Sequence, residues 1–219
     1  IKRGCLGKFD TFKREWTNNG RDVKDPDALG AYLRENFIML RRTRADVGME
    51  MPAINKIVYT VGYDEDQVHK EEELLRQLAI RVTTGTFTER GEAGRTLDMR
   101  LRQITGISKA RETAAFIRMF VEDSKQPVLV FAWHREVYRI LLECLADLKP
   151  IMYTGSESIT RKNEALEKFE AGESKILLMS LRSAPGIDGL QRFCSTAINV
   201  ELDYSPQVHA QDITRLSRP

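Results

Sequence analysis

Three residues near the end of the sequence carry the most suggestive chemistry. Gln211, Arg215 and Arg218 stand at i, i+4 and i+7 in Gln211-Asp212-Ile213-Thr214-Arg215-Leu216-Ser217-Arg218. On a helix that spacing places an amide and two guanidiniums on one face. Each guanidinium offers fixed, paired donors to oxyanions, so the trio suits the phosphates of a nucleotide. A solvated helix end could hold the same cations, because positive charge is favoured there. The sequence has no G-x-x-x-x-G-K-[ST] loop to cradle β- and γ-phosphates, and it begins at Ile1. From both features we expect a piece of a larger protein, carrying one wall of a composite nucleotide site.

Other chemistry is thinly represented. His69, His134 and His209 show no partner pattern and no zinc-ligand spacing, so no general base and no metal ligand is assigned. Cys5, Cys144 and Cys194 are odd in number, far apart and lack a C-x-x-C pair, which argues against a disulfide framework or a zinc site. Cys144 falls on an apolar helical stripe and reads as a small core residue. A reducing compartment fits, cytoplasmic or, in a eukaryote, nuclear. The net charge of +2 points only weakly to a polyanionic partner. No apolar run approaches the ~20 residues of a membrane span, and no membrane partner is expected.

The elements that must position these residues follow from Gln126 onward. Val128 to Ala132 is a continuous apolar run, as a buried parallel strand should be. Val137, Ile140, Leu141, Cys144, Leu145 and Leu148 then form a helical stripe. A short strand over 150–153 leads to the Thr154-Gly155-Ser156 turn. A helix with Ala165, Leu166 and Phe169 inward follows, with Gly172 as its stop. Ile176 to Ser180 and Thr196 to Glu201 read as further strands. A helix over about 108–122, capped by Ser108, precedes the first strand. This rhythm predicts a doubly wound α/β fold with a parallel sheet.

Residues 1–105 read instead as a mostly helical segment. Leu29, Tyr32, Leu33, Phe37 and Leu40 form one stripe, and Leu74, Leu75, Leu78 and Val82 another. The alternation over 55–61 predicts one strand. Thr83 to Thr96, with Gly85, Gly91 and Gly94 among polar residues, predicts a loop. The division between the two parts is expected near Thr105.

Several motifs in order resemble one family. Leu40-Arg41-Arg42-Thr43-Arg44-Ala45-Asp46-Val47 with Met51-Pro52 is similar to the L-R-R-T-K-x-D-V…L-P segment of Snf-type DNA translocases of helicase superfamily two. Val128 to Trp133 resembles the strand of motif IV. Tyr153-Thr154-Gly155-Ser156, with Arg161 and Phe169, resembles the G-S-x-S…R…F stretch after it. Ile176 to Leu190, Asp203 to Pro206 and Gln211 to Arg218 resemble motifs V and VI. Ser108-Lys109 resembles the S-G-K that opens the lobe, with Gly106 here preceding the serine. Motif V departs from G-G-x-G-x-N-L at Pro185 and Asp188, and Tyr204-Ser205 replaces Trp-Asn.

The resemblance implies a C-terminal RecA-like lobe over 106–219, truncated at its end. In that lobe Arg215 and Arg218 act as arginine fingers toward ATP bound, with Mg²⁺, mainly on a first RecA-like lobe that this sequence lacks. Gln211, Gly186 and Asp188 are the remaining nucleotide-side candidates. Trp133, His134, Thr154, Gly155, Ser156, Arg161, Ser180 and Arg182 lie at or beyond the C-terminal ends of expected strands, where open α/β sheets bind ligands. They are the expected contacts to the backbone of duplex DNA. Arg41, Arg42 and Arg44 would brace the two lobes. By this reading the chain alone is inactive, and its partners are DNA and the first lobe. Two alternatives stay open: another superfamily-two motor, such as an RNA helicase or a restriction-enzyme motor, and a RecA-like module that binds nucleic acid without catalysis.

Overall fold

The computed structural model describes residues 6–18, 20–39, 48, 53–181, 189–214 and 216, without the side chains of Gln211 and Thr214. The chain divides into two compact units, Ile1–Met51 and Pro52–Pro219. The first holds helix α1 (Phe9–Trp16), a two-stranded antiparallel pair β1 (Thr17–Asn18) and β2 (Asp22–Val23), and helix α2 (Pro26–Glu35). Asp25 caps α2, accepting the N–H groups of Asp27 and Ala28, and Pro26 starts it where no intrahelical donor is needed. The expected stripe ends early: α2 stops at Glu35, so Phe37 lies beyond it, exposed and at positive φ.

The second unit is built on a four-stranded sheet, all parallel, in the order β4-β5-β3-β6: β3 (Val128–Ala132), β4 (Ile151–Tyr153), β5 (Ile176–Ser180) and β6 (Thr196–Asn199). Successive side chains alternate between its faces, and both faces are covered, so the strands are apolar throughout. Val128, Val130, Ala132, Ile176, Leu178 and Val200 face one core with helices α4 (Phe87–Ser124) and α5 (Arg135–Cys144). Leu129, Phe131, Leu177, Met179 and Leu181 face the other, with Phe169 of α6 (Ile159–Glu170) and with Leu190 and Cys194. Helix α7 (Pro206–Thr214) follows β6. Cys144 sits half-buried against the first core, as its stripe implied.

Three expectations about single elements are corrected. The loop expected over Thr83–Thr96 is helical except at a tight break: α3 (Glu65–Thr84) runs to Thr84 and α4 starts at Phe87. A reciprocal box closes the break, in which the Glu89 side chain accepts the N–H and hydroxyl of Thr86. Gly91 and Gly94 are absorbed into α4, where Gly94 lies beside Val82 of α3. The helix expected from Ser108 therefore starts far upstream, and Ser108 is a buried mid-helix residue whose hydroxyl donates to the Thr105 carbonyl. The strand expected over 55–61 does not form. Residues 53–64 instead run along α4: the Asp64 N–H donates to Ser108 O at 2.8 Å, Gly62 abuts Glu112, and Tyr59 stacks on Phe116 at 4.2 Å. Ile57 and Val58, left without a sheet neighbour, are exposed. Thr105, near which the division is expected, lies inside the uninterrupted α4.

Candidate functional site

All four strands point the same way, so their C-terminal ends share one rim of the sheet. Ala132 pairs with Ser180 and Tyr153 with Met179. The rim thus gathers Trp133 and His134 after β3, Ser180 at the end of β5, and Thr154, Gly155 and Ser156 after β4. Two hydrogen bonds carry the ladder past the strands: Leu181 N–H to Ala132 O at 3.1 Å, and Val200 N–H to Phe131 O at 2.9 Å.

The expected contact residues differ in availability. Trp133 is 44% exposed. Gly155 and Ser156 are exposed, and a side-chain carbon added at Gly155 would meet nothing. Arg161 is exposed in the first turn of α6, its N–H donating to the Ser158 cap. Thr154, by contrast, is 5% exposed. Its hydroxyl accepts the Ser156 N–H, and its own N–H donates to the Glu157 carboxylate, so it shapes the turn from inside. Ser180 is half-buried and hydrogen-bonded to the Tyr138 hydroxyl. That hydroxyl also donates to Ala132 O, with Met179 O at 3.1 Å. Burial, and then the charge of Glu201, push the Tyr138 phenol well above its ordinary range, so it stays a donor that ties β3 to β5. Arg182, Gly186, Asp188, Arg215 and Arg218 lie outside the described residues, as do the Leu40 to Val47 and Met51-Pro52 motifs; Gln211 is placed by its backbone on α7.

Where the rim passes from β3 to β6 stands a residue that sequence reading treated only as the end of a strand. Glu201, 5% exposed, follows β6. Its Oε2 accepts the N–H groups of Trp133 at 2.7 Å and His134 at 3.0 Å, and its Oε1 accepts from His134 Nδ1 at 2.5 Å. His134 therefore has a partner that no sequence pattern announced. His209 has one too: the Asp203 N–H donates to its Nε2 at 2.8 Å. Gly106 of α4 makes room for the carboxylate, since a Cβ there would stand 2.5 Å from Glu201 Oε1 and 3.1 Å from Val137 Cγ2. One turn on, burial lowers the pKa of half-buried Lys109, and the charge of Glu201 works against that shift. A cleft of about 320 Å³ opens here between α4 and the stretch that leads to α7. Along it the Arg102 guanidinium donates to Leu202 O and lies over the Tyr204 ring at 4.0 Å.

No protein-family model and no curated protein matches the chain. Among solved structures, the Sulfolobus solfataricus SWI2/SNF2 ATPase core domain aligns at a TM-score of 0.61 and 16% identity, over 99% of this chain and 49% of that one. The Sulfolobus solfataricus SWI2/SNF2 ATPase C-terminal domain aligns at a TM-score of 0.54 and 13% identity, over 64% of this chain and 68% of that one. The chain thus spans about half the length of the core domain it matches. At these identities the likeness is one of fold. The helix-flanked parallel sheet and helical segment read from the sequence are those of the SWI2/SNF2 ATPase core, and the chain has that fold.

Proposed function

We propose that this chain is the C-terminal motor lobe of an ATP-dependent, Snf-type DNA translocase, with residues 106–219 carrying the motor and the first lobe supplied elsewhere in the parent protein. The observation that carries the reading is the shared rim. A parallel sheet delivers Trp133, His134, Gly155 and Ser156 to one edge, and the segment leaving the same edge at Glu201 leads into α7. On this reading ATP and Mg²⁺ are held mainly by the first lobe. When bound there, ATP supplies the phosphoryl-transfer chemistry. This chain's part is to set Arg215 and Arg218 across the cleft, where their charge offsets the negative charge that develops on the transferred group. Gln211 orients them. Trp133, the Thr154-Gly155-Ser156 turn and Arg161 hold a DNA strand by its backbone, without reading sequence.

The test is Arg215→Ala in the full-length protein. Turnover falls by about 10³-fold or more, the range typical of a lost arginine finger, while DNA affinity stays. Turnover that survives the substitution rejects the assignment. Stimulation of the unsubstituted protein by duplex DNA, above single strands or RNA, separates a translocase from an RNA helicase; absence of turnover with every nucleic acid favours a binding module.

A further inference from the structure

We propose that Glu201 is a positioning residue that couples the DNA-facing corner after β3 to helix α7, the element that precedes Arg215 in the sequence. The proposal rests on the function proposed above. Glu201 grips the corner through both backbone N–H groups of Trp133 and His134 and through the His134 ring. A buried carboxylate is costly unless fully hydrogen-bonded, and this one is held by three donors that all belong to the corner. From the same residue the chain runs straight into motif VI. Two positions on, the Asp203 N–H is bound by His209 of α7 at 2.8 Å, and the Asp203 carboxylate accepts the Ser205 N–H at 2.9 Å, fixing the turn that starts the helix. A displacement of Trp133 on DNA binding thus reaches α7 through one carboxylate, a short stretch of chain and one imidazole. Gly106 lets α4 approach the carboxylate, since a side-chain carbon there would stand 2.5 Å from Glu201 Oε1. The coupling is carried by named contacts, with a residue at each end that is itself neither a proposed DNA contact nor a proposed arginine finger.

The experiment compares Glu201→Gln and His209→Leu with the unsubstituted full-length protein, reading the ratio of turnover at saturating DNA to turnover without DNA. Loss of folded protein lowers both rates in proportion and leaves that ratio alone; broken coupling lowers it. The ratio is expected to fall by about fivefold or more in both variants, the lower end of ordinary coupling energies. A smaller fall in either variant overturns the proposal. Loss of DNA binding in Glu201→Gln also overturns it, because Glu201 then belongs to the binding surface itself. Should Glu201→Gln not fold by circular dichroism, Gly106→Ala, which presses a methyl group on the same carboxylate, replaces it under the same threshold. Turnover that persists in Arg215→Ala rejects the proposed function instead, whatever the ratio does.

Discussion

Arg118 and Asp147 show how one exposed pair can fix local geometry and respond to acid. Two guanidinium nitrogens of Arg118 lie 2.6 Å from the Asp147 carboxylate, and one of them also donates to Cys144 O at 2.9 Å, tying α4 to the end of α5. The Arg118 hydrogen bonds hold the Asp147 carboxyl down at about 2. A carboxylate with a depressed folded pKa stabilises the fold above its unfolded value and loses that contribution as pH falls through the folded one. The stability difference between the protein and its Asp147→Asn variant should therefore be steady above about pH 4 and shrink toward nothing near pH 2. Denaturant melts across that range check it. A difference that grows as pH falls would show that the pair is not the cause. The difference should also be modest and salt-sensitive, because both side chains face solvent.

Helix α4 carries two kinds of surface along its 38 residues, a length of about 57 Å at the helical rise. From Ala110 to Val121 its inward positions are Ala110, Thr113, Ala114, Ile117 and Val121, packed on the sheet and α5. Before Ile104 only Ala93 is fully buried among the described residues, and the partner there is α3. Ile117→Ala, at a fully buried position, should cost roughly 2–5 kcal/mol, whereas Met99→Ala, largely exposed on the outer half, should stay within about 0.5 kcal/mol. Urea midpoints of the two variants decide; equal midpoints would mean that the outer half is buried in solution. The same helix explains what the sequence could convey. Strands β3 and β5 were legible because both faces are covered and their residues are apolar without a break. The 83–96 stretch was not, because three glycines outweigh a capping box in local propensity, and pairing with α3 decides the outcome. The 55–61 stretch alternates like a strand, yet α4 offers it a stacking surface at Phe116 and no free ladder. The rim itself was legible from the strand ends. Glu201 was hidden because its role depends on β3 and α4 meeting β6, which no local pattern encodes.

At the scale of the molecule, the sheet and its partition decide what this polypeptide can do unaided. The parallel order β4-β5-β3-β6 brings Trp133, His134, Gly155 and Ser156 to one rim, which we propose is a surface for binding and orienting. Hydrolysis of a triphosphate needs more: backbone donors around the β- and γ-phosphates, a cation held beside them and a positioned water. The sequence has no G-x-x-x-x-G-K-[ST] loop to begin that construction, and the chain spans about half of the ATPase core domain whose fold it shares. If Arg215 and Arg218 act as proposed, they stabilise a transition state only when its charge develops within their reach. The 219-residue chain at saturating ATP and Mg²⁺, with duplex DNA present, should therefore release phosphate no faster than the buffer alone. A single-turnover assay with labelled ATP measures this. Release that rises in proportion to the chain's concentration, and that Arg215→Ala abolishes, would place a complete nucleotide site within these residues and overturn the division of labour between two lobes.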